Sequence, residues 1–101
     1  MRRYELMVLM LDTIDEEAAQ AAFNWTKDLI AQQGGTVLDE AWWGRRKLAY
    51  EIEKRDHGFY GVLDIEATGE AVDEVERRLK ISDDVVRFKT VRPEVRVRRS
   101  A

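Results

Sequence analysis

Four stretches of the chain carry the hydrophobic spacing of β-strands. The first is apolar at both alternating positions from Leu6 to Leu11, which is typical of a central strand covered on both faces. The other three alternate apolar and polar residues, which is typical of a half-buried strand. The predicted strands are residues 2–11, 36–43, 59–66 and 85–91, and a hairpin over residues 44–60 joins the second to the third.

Two stretches repeat apolar residues at the spacing of an amphipathic helix, over residues 16–33 and 70–81. The apolar face of the first helix consists of Ala19, Ala22, Phe23, Thr26, Leu29 and Ile30. Either Thr13 or Asp15 can cap the beginning of this helix, and Thr68 can cap the second.

The order strand, helix, strand, strand, helix, strand predicts an α+β fold. It is the order of the ferredoxin-like split βαβ sandwich, a four-stranded antiparallel sheet with two helices on one face. The first and third strands are central in that arrangement, which agrees with the doubly apolar first strand. A length of 101 residues is that of one domain. We therefore expect a ferredoxin-like domain over residues 1–92, followed by a basic and flexible tail over residues 93–101.

The hairpin of residues 44–60 brings basic and aromatic residues together. Its first strand contains the cations Arg45, Arg46 and Lys47, then Leu48, Tyr50 and Ile52 on one parity, and a turn is predicted over residues 54–58. Cations beside rings on a strand face can bind nucleic acid, because cations contact phosphates and rings stack on bases. A solvated hairpin whose edge charges prevent aggregation explains the residue types equally well.

Trp42 and Trp43 are neighbours in a predicted strand, so their side chains point to opposite faces of the sheet. One indole can enter the core. The other lies on the outer face, either as an interface anchor or under the stem of an arginine. The sequence does not say which of the two faces outward. Gly44, which follows them, marks a bulge or a bend.

The net charge of −3 argues against a general polyanion binder. The charges are nevertheless unevenly distributed, because the predicted helices are acidic and the cations collect in the strands and the tail. This separation predicts local RNA binding by a protein that is acidic as a whole.

The residues offer little for catalysis or for a metal site. The chain has no cysteine and one histidine, His57, which we expect in the hairpin turn. It has no glycine-rich phosphate loop, no apolar run long enough to span a membrane, and no signal-peptide pattern at its start. We therefore expect a cytoplasmic protein with no enzymatic activity, cofactor or metal.

A set of positions around the hairpin resembles the signature of a known family. It consists of Gly44, Arg46, Leu48, Ala49, Tyr50, Ile52 and Lys54, followed by Gly58 and Tyr60. The opening residues Met1, Arg2, Tyr4 and Glu5 match the start of the same family. Over about residues 1–92, the chain is similar to protein six of the bacterial small ribosomal subunit.

The resemblance implies a structural protein of the small ribosomal subunit, located on the ribosome in the cytoplasm. It also implies binding to the central domain of small-subunit rRNA as a heterodimer with small-subunit protein eighteen. The family positions expected to face RNA or the partner are Arg2, Tyr4, Arg46, Tyr50 and Lys54, of which Tyr4 and Tyr50 also suit packing. The basic strand residues Arg45, Lys47, Arg87, Lys89 and Arg92 complete the predicted interface.

Two alternatives on the same fold stay open, because many functions share this architecture. An acylphosphatase-like enzyme or ligand-binding domain would need an anion-binding loop with an arginine after the first strand, where all charged residues of the stretch 12–17 are acidic. A self-associating regulatory domain would instead dimerise through its second strand.

Overall fold

The structure, a computed structural model, describes residues 1–92. The predicted basic tail, residues 93–101, lies outside the described residues. The elements are β1 (Arg2–Leu11), α1 (Glu16–Gln32), β2 (Thr36–Ile52), β3 (Arg55–Ala67), α2 (Gly69–Ile81) and β4 (Val85–Val91). Their order along the chain is the predicted one.

The four strands form one antiparallel sheet in the order β2-β3-β1-β4, so β1 and β3 are central as predicted. Residues from both helices and alternate residues of β1 and β3 share one buried apolar cluster. The core therefore lies between the helices and one face of the sheet. The α+β ferredoxin-like split βαβ sandwich is confirmed.

The helices begin where local capping chemistry predicts them to begin. The Asp15 carboxylate accepts a hydrogen bond from the Ala18 N–H at 2.8 Å, so Asp15 rather than Thr13 caps α1. The Thr68 hydroxyl accepts one from the Ala71 N–H at 3.1 Å and caps α2. Each cap of this kind stabilises a helix by about 1 kcal/mol. All six residues of the predicted apolar face of α1 are buried.

The prediction of a hairpin turn over residues 54–58 is wrong. The turn consists of Glu53 and Lys54 alone, and β3 begins directly at Arg55. Both turn residues have positive φ, 51° and 67°. A two-residue turn of this kind matches the twist of the paired strands, and the pair of Ile52 with Arg55 flanks it directly. His57, expected in the turn, is consequently a residue of β3 that pairs with β2.

β2 continues through the hairpin as one strand with three irregularities in its pairing. One irregularity lies between Trp42 and Gly44, where Gly44 has a φ of 75°. The predicted bulge at Gly44 is therefore confirmed, and the strand does not end at Trp43.

The largest irregularity lies near the hairpin tip. Residues 48–51 of β2 stand opposite Asp56 alone, because the flanking pairs are Lys47 with His57 and Ile52 with Arg55. The surplus length lets β2 bring Leu48 against the sheet, where only 7% of it is exposed. Leu48 buries Leu9 and Leu11 of β1 on the face away from the helices.

Candidate nucleic-acid and partner interface

The sheet face away from the helices, the outer face, carries a second apolar cluster. It is built on Leu9, Leu11 and Leu48, which are buried, with Tyr60 and Ile52 partly buried around them. The second face of β1 is therefore covered in part by the chain's own hairpin. A groove remains open beside this cluster, and it is lined by residues including Met7, Tyr50 and Tyr60.

Trp43 is the indole that faces outward, with 46% of its surface exposed. Its ring lies on the outer face, 6.2 Å from the ring of Tyr60. The Arg46 guanidinium lies 6.0 Å from the Trp43 ring centroid, and Arg46 Nε donates to the Trp43 carbonyl at 3.1 Å. The exposed indole therefore has an arginine beside it, and this arginine still reaches solvent.

Trp42 points the other way and packs against the core between the sheet and α1. Its ring centroid is 5.4 Å from that of Phe23 and 6.2 Å from that of Phe59. Its Nε1–H donates to the Glu16 carboxylate at 3.0 Å. Trp42 is consequently a packing residue of the helix side, and Trp43 is the candidate anchor.

Two cations of β4 lie on the outer face with the exposed indole. Arg87 stands opposite Leu9, and Lys89 stands opposite Met7. Paired residues of neighbouring strands share a face of the sheet, so both side chains belong to the outer face. Both line the groove with Tyr50, which is 66% exposed and thus not a packing residue.

The other predicted cations of the hairpin lie on the helix side or at the tip. Arg45 stands opposite Phe59 and Lys47 opposite His57, which places both on the parity of the helix side. Lys54 lies at the tip. The structure therefore groups Arg46, and not the whole basic stretch, with the exposed aromatic residues.

The other three predicted residues lie at the end of the sheet where β1 begins and β4 ends. Tyr4 packs partly buried against the core cluster, so its packing interpretation is the one that the structure supports. Arg2 shares the parity of Tyr4, at the beginning of β1, and Arg92 is exposed directly after β4. These residues lie away from the group around Trp43.

The predicted separation of charge is only partial. The outer face is basic at Arg46, but farther along the same face Asp39, Asp64 and Glu5 follow one another in a row across three strands. The helical side also has cations of its own. Its Glu74 accepts hydrogen bonds from Arg77 and Arg78, which lower the pKa of that carboxyl from its usual 4.5 to about 2.

The described residues give no support to catalysis. Residues 1–92 contain no group of three or more His, Asp or Glu side chains placed to hold a metal ion. His57 contacts the Asp56 carboxylate at 2.8 Å, and this hydrogen bond lowers the pKa of Asp56. The turn after β1 carries Asp12 and Asp15 but no arginine, so it does not form the anion-binding loop of an acylphosphatase-like site. No helix within residues 1–92 is long and apolar enough to cross a membrane.

Comparison with known proteins gives consistent matches. The family model described as ribosomal protein S6 matches residues 3–92. A small ribosomal subunit protein bS6 from Salinispora arenicola is 43% identical over 96 residues, which are 95% of this chain and 100% of the relative. One from Clostridium novyi is 43% identical over 94 residues, which are 93% of this chain and 99% of the relative. The solved structure of a 30S ribosomal protein S6 from Thermotoga maritima has a TM-score of 0.86 at 27% identity, covering 98% of this chain and 96% of that chain.

The chain has the fold of a ferredoxin-like sandwich, and its outer face carries cations beside exposed aromatic residues. The chain belongs to the ribosomal protein S6 family. It is therefore a structural protein of the small ribosomal subunit and not an enzyme. The family resemblance seen in the hairpin signature is confirmed.

Proposed function

We propose that this protein binds the central domain of small-subunit rRNA as a heterodimer with small-subunit protein eighteen, in the cytoplasm and on the ribosome. The observation that carries the proposal is the exposed pair of Trp43 and Arg46 at the border of an apolar sheet face. A cation held beside an exposed ring suits a joint surface of protein and nucleic acid, because the ring can anchor a partner while the cation contacts a phosphate.

The outer face divides into two kinds of surface that suit two kinds of contact. The groove beside Leu9 and Leu48, with Tyr50 and Tyr60, offers apolar and aromatic area of the sort that buries against a partner protein. Arg87 and Lys89 flank this groove and can pair with phosphates or with carboxylates of the partner.

The other predicted residues take separate parts in this proposal. Arg45, Lys47 and Lys54 would contact RNA along the hairpin and at its tip, outside the groove. Arg2 and Arg92 would contact RNA or the partner at the opposite end of the sheet. Tyr4 has a packing role there, so its truncation would act through stability.

The proposal is tested by measuring the affinity for a central-domain rRNA fragment, with and without protein eighteen, at several salt concentrations. We expect binding that strengthens when protein eighteen is present and weakens as salt rises, since each neutralised phosphate releases counterions. Arg46→Ala should weaken binding and reduce the salt slope by about one unit. Equal, salt-insensitive binding with and without the partner would contradict the proposal.

The self-associating alternative has a separate readout. Sedimentation of the isolated protein distinguishes a stable homodimer from one half of a heterodimer. A homodimer that persists when protein eighteen is added would contradict the proposed partnership.

A further inference from the structure

The carboxylate of Asp12 joins the body of the fold to both strands of the hairpin. Asp12 follows directly after β1, and its Oδ2 accepts hydrogen bonds from Arg45 Nε at 3.2 Å and from Arg45 Nη2 at 2.9 Å. Its other oxygen, Oδ1, lies 3.9 Å from Arg55 Nη1. Arg45 belongs to β2 and Arg55 to β3, so one carboxylate gathers two cations from two strands.

The three side chains differ in how much water reaches them. The Asp12 side chain is only 13% exposed, whereas those of Arg45 and Arg55 are 54% and 49% exposed. Asp12 Oδ1 is buried and accepts no hydrogen bond. A buried carboxylate oxygen without a partner is costly, and a nearby guanidinium is the group that can satisfy it. A largely buried carboxylate therefore lies beneath two cations that are exposed at the surface.

We propose that Asp12 is a positioning residue that holds Arg45 and Arg55 as a preformed clamp for one RNA phosphate. The inference rests on the proposed rRNA binding and adds an acidic residue, Asp12, to the basic residues of the interface. A guanidinium has more N–H groups than Asp12 engages, so each arginine keeps donors for a phosphate. The two arginines exceed the single carboxylate in charge, so the group as a whole still attracts an anion.

Asp12 is expected to raise the RNA affinity by ordering the arginine side chains before RNA binds. An arginine side chain has several free torsions, and ordering it on binding costs about 0.5 to 1.5 kcal/mol, or about two- to tenfold in affinity. Arg45 is already ordered by its two hydrogen bonds to Asp12. Asp12 should therefore strengthen binding to a polyanion although it is itself an anion.

The expected direction of the effect of Asp12 on RNA affinity distinguishes this inference from simple electrostatics. Removing an acidic residue raises the net charge, and charge alone predicts tighter RNA binding. The matched control is Asp73→Ala, which makes the same charge change at an exposed position of α2 on the helical side. We expect Asp12→Ala to bind the central-domain fragment, in the presence of protein eighteen, about two- to tenfold more weakly than wild type. Asp73→Ala should bind equally or slightly more tightly.

A double-mutant cycle distinguishes positioning from a general effect on the fold. The effect of Arg45→Ala on RNA binding should be about two- to tenfold larger in the wild-type background than in the Asp12→Ala background. Residues in contact can also couple in stability, so binding is compared under conditions in which circular dichroism shows all four proteins to be fully folded. Asp12→Asn keeps the shape and one acceptor oxygen, and it serves in the same cycle if Asp12→Ala does not fold.

The outcomes also separate this inference from the proposed function. Wild-type binding together with an Asp12→Ala variant that binds as tightly as Asp73→Ala would overturn the clamp and leave the proposed function intact. Additive losses in the cycle would overturn it too. A wild-type protein that does not bind the fragment, even with protein eighteen, would overturn both.

Discussion

The two neighbouring indoles of β2 give the sharpest test of the packing described above. Trp42 packs on the core rings Phe23 and Phe59, whereas Trp43 is 46% exposed on the outer face. We therefore expect Trp42→Ala to destabilise the protein far more than Trp43→Ala. Each variant is the matched control of the other, because they remove the same side chain from adjacent positions.

The expected magnitudes follow from burial. Replacing a buried tryptophan by alanine costs about 3 to 5 kcal/mol, and the low end applies to Trp42 because it is only partly buried. Trp43 leaves almost half of its surface in water, and within residues 1–92 its recorded ring and cation contacts are those with Tyr60 and Arg46, so its loss should cost about 1 kcal/mol. The difference of about 2 kcal/mol corresponds to roughly 10 °C in melting temperature for a domain of this size.

Urea unfolding followed by far-ultraviolet circular dichroism measures the difference without using the indoles as the probe. The midpoint of Trp42→Ala should fall well below that of Trp43→Ala at similar slopes. A Trp43→Ala variant that is as destabilised as Trp42→Ala, or more so, would refute the assignment of the outward indole.

Three further outcomes are expected. Glu53→Asn with Lys54→Gly should raise the free energy of unfolding by about 1 kcal/mol in urea melts, because both positions have positive φ, and an unchanged midpoint would contradict this turn geometry. Gly58→Ala should lower it by about 1 to 3 kcal/mol, since the new Cβ would lie 2.8 Å from a backbone carbonyl of β1, and a neutral change would contradict that close approach. Glu74 has a folded-state pKa of about 2 instead of 4.5, so its contribution to stability is complete above pH 4.5 and is lost as the pH falls towards 2. Glu74→Gln should therefore lose less stability than wild type across that interval in acid titrations of the melting temperature, and parallel curves would contradict the Arg77 contact.

The helices and the central position of β1 could be predicted because their signals are local. The apolar face of α1 follows helical spacing, and its cap, Asp15, is a residue type with a short side chain that reaches the first free N–H groups. The central position of β1 follows from apolar residues on both parities. These features depend on neighbours in sequence and not on how the strands are aligned.

The hairpin tip could not be predicted because its turn lacks the usual residues. A two-residue turn with positive φ is normally marked by asparagine or glycine, and this chain has Glu53 and Lys54 there. The charged residues that follow resemble loop residues, yet Arg55 and His57 pair with Ile52 and Lys47 of β2. Tertiary pairing has overridden local preference at this point.

The side of each cation and each indole depends on strand register, which the sequence does not state. The bulge between Trp42 and Gly44 decides that Arg46 shares the outer face with Trp43. The contact between Asp12 and Arg45 joins residues 33 positions apart and required the alignment of β1, β3 and β2 to be known. The basic stretch in the sequence therefore predicted an interface, but it did not predict which of its cations lie on the same face of the sheet.

Co-sedimentation with small ribosomal subunits tests the central claim most directly, namely that the outer face around Arg46 is the binding surface. The comparison needs wild type, Arg46→Glu, and Lys80→Glu as a control that makes the same charge change on the helical side. We predict that wild type and Lys80→Glu sediment with the subunits, whereas Arg46→Glu stays in the supernatant. An Arg46→Glu variant that sediments as wild type does, or equal loss for both variants, would contradict the account.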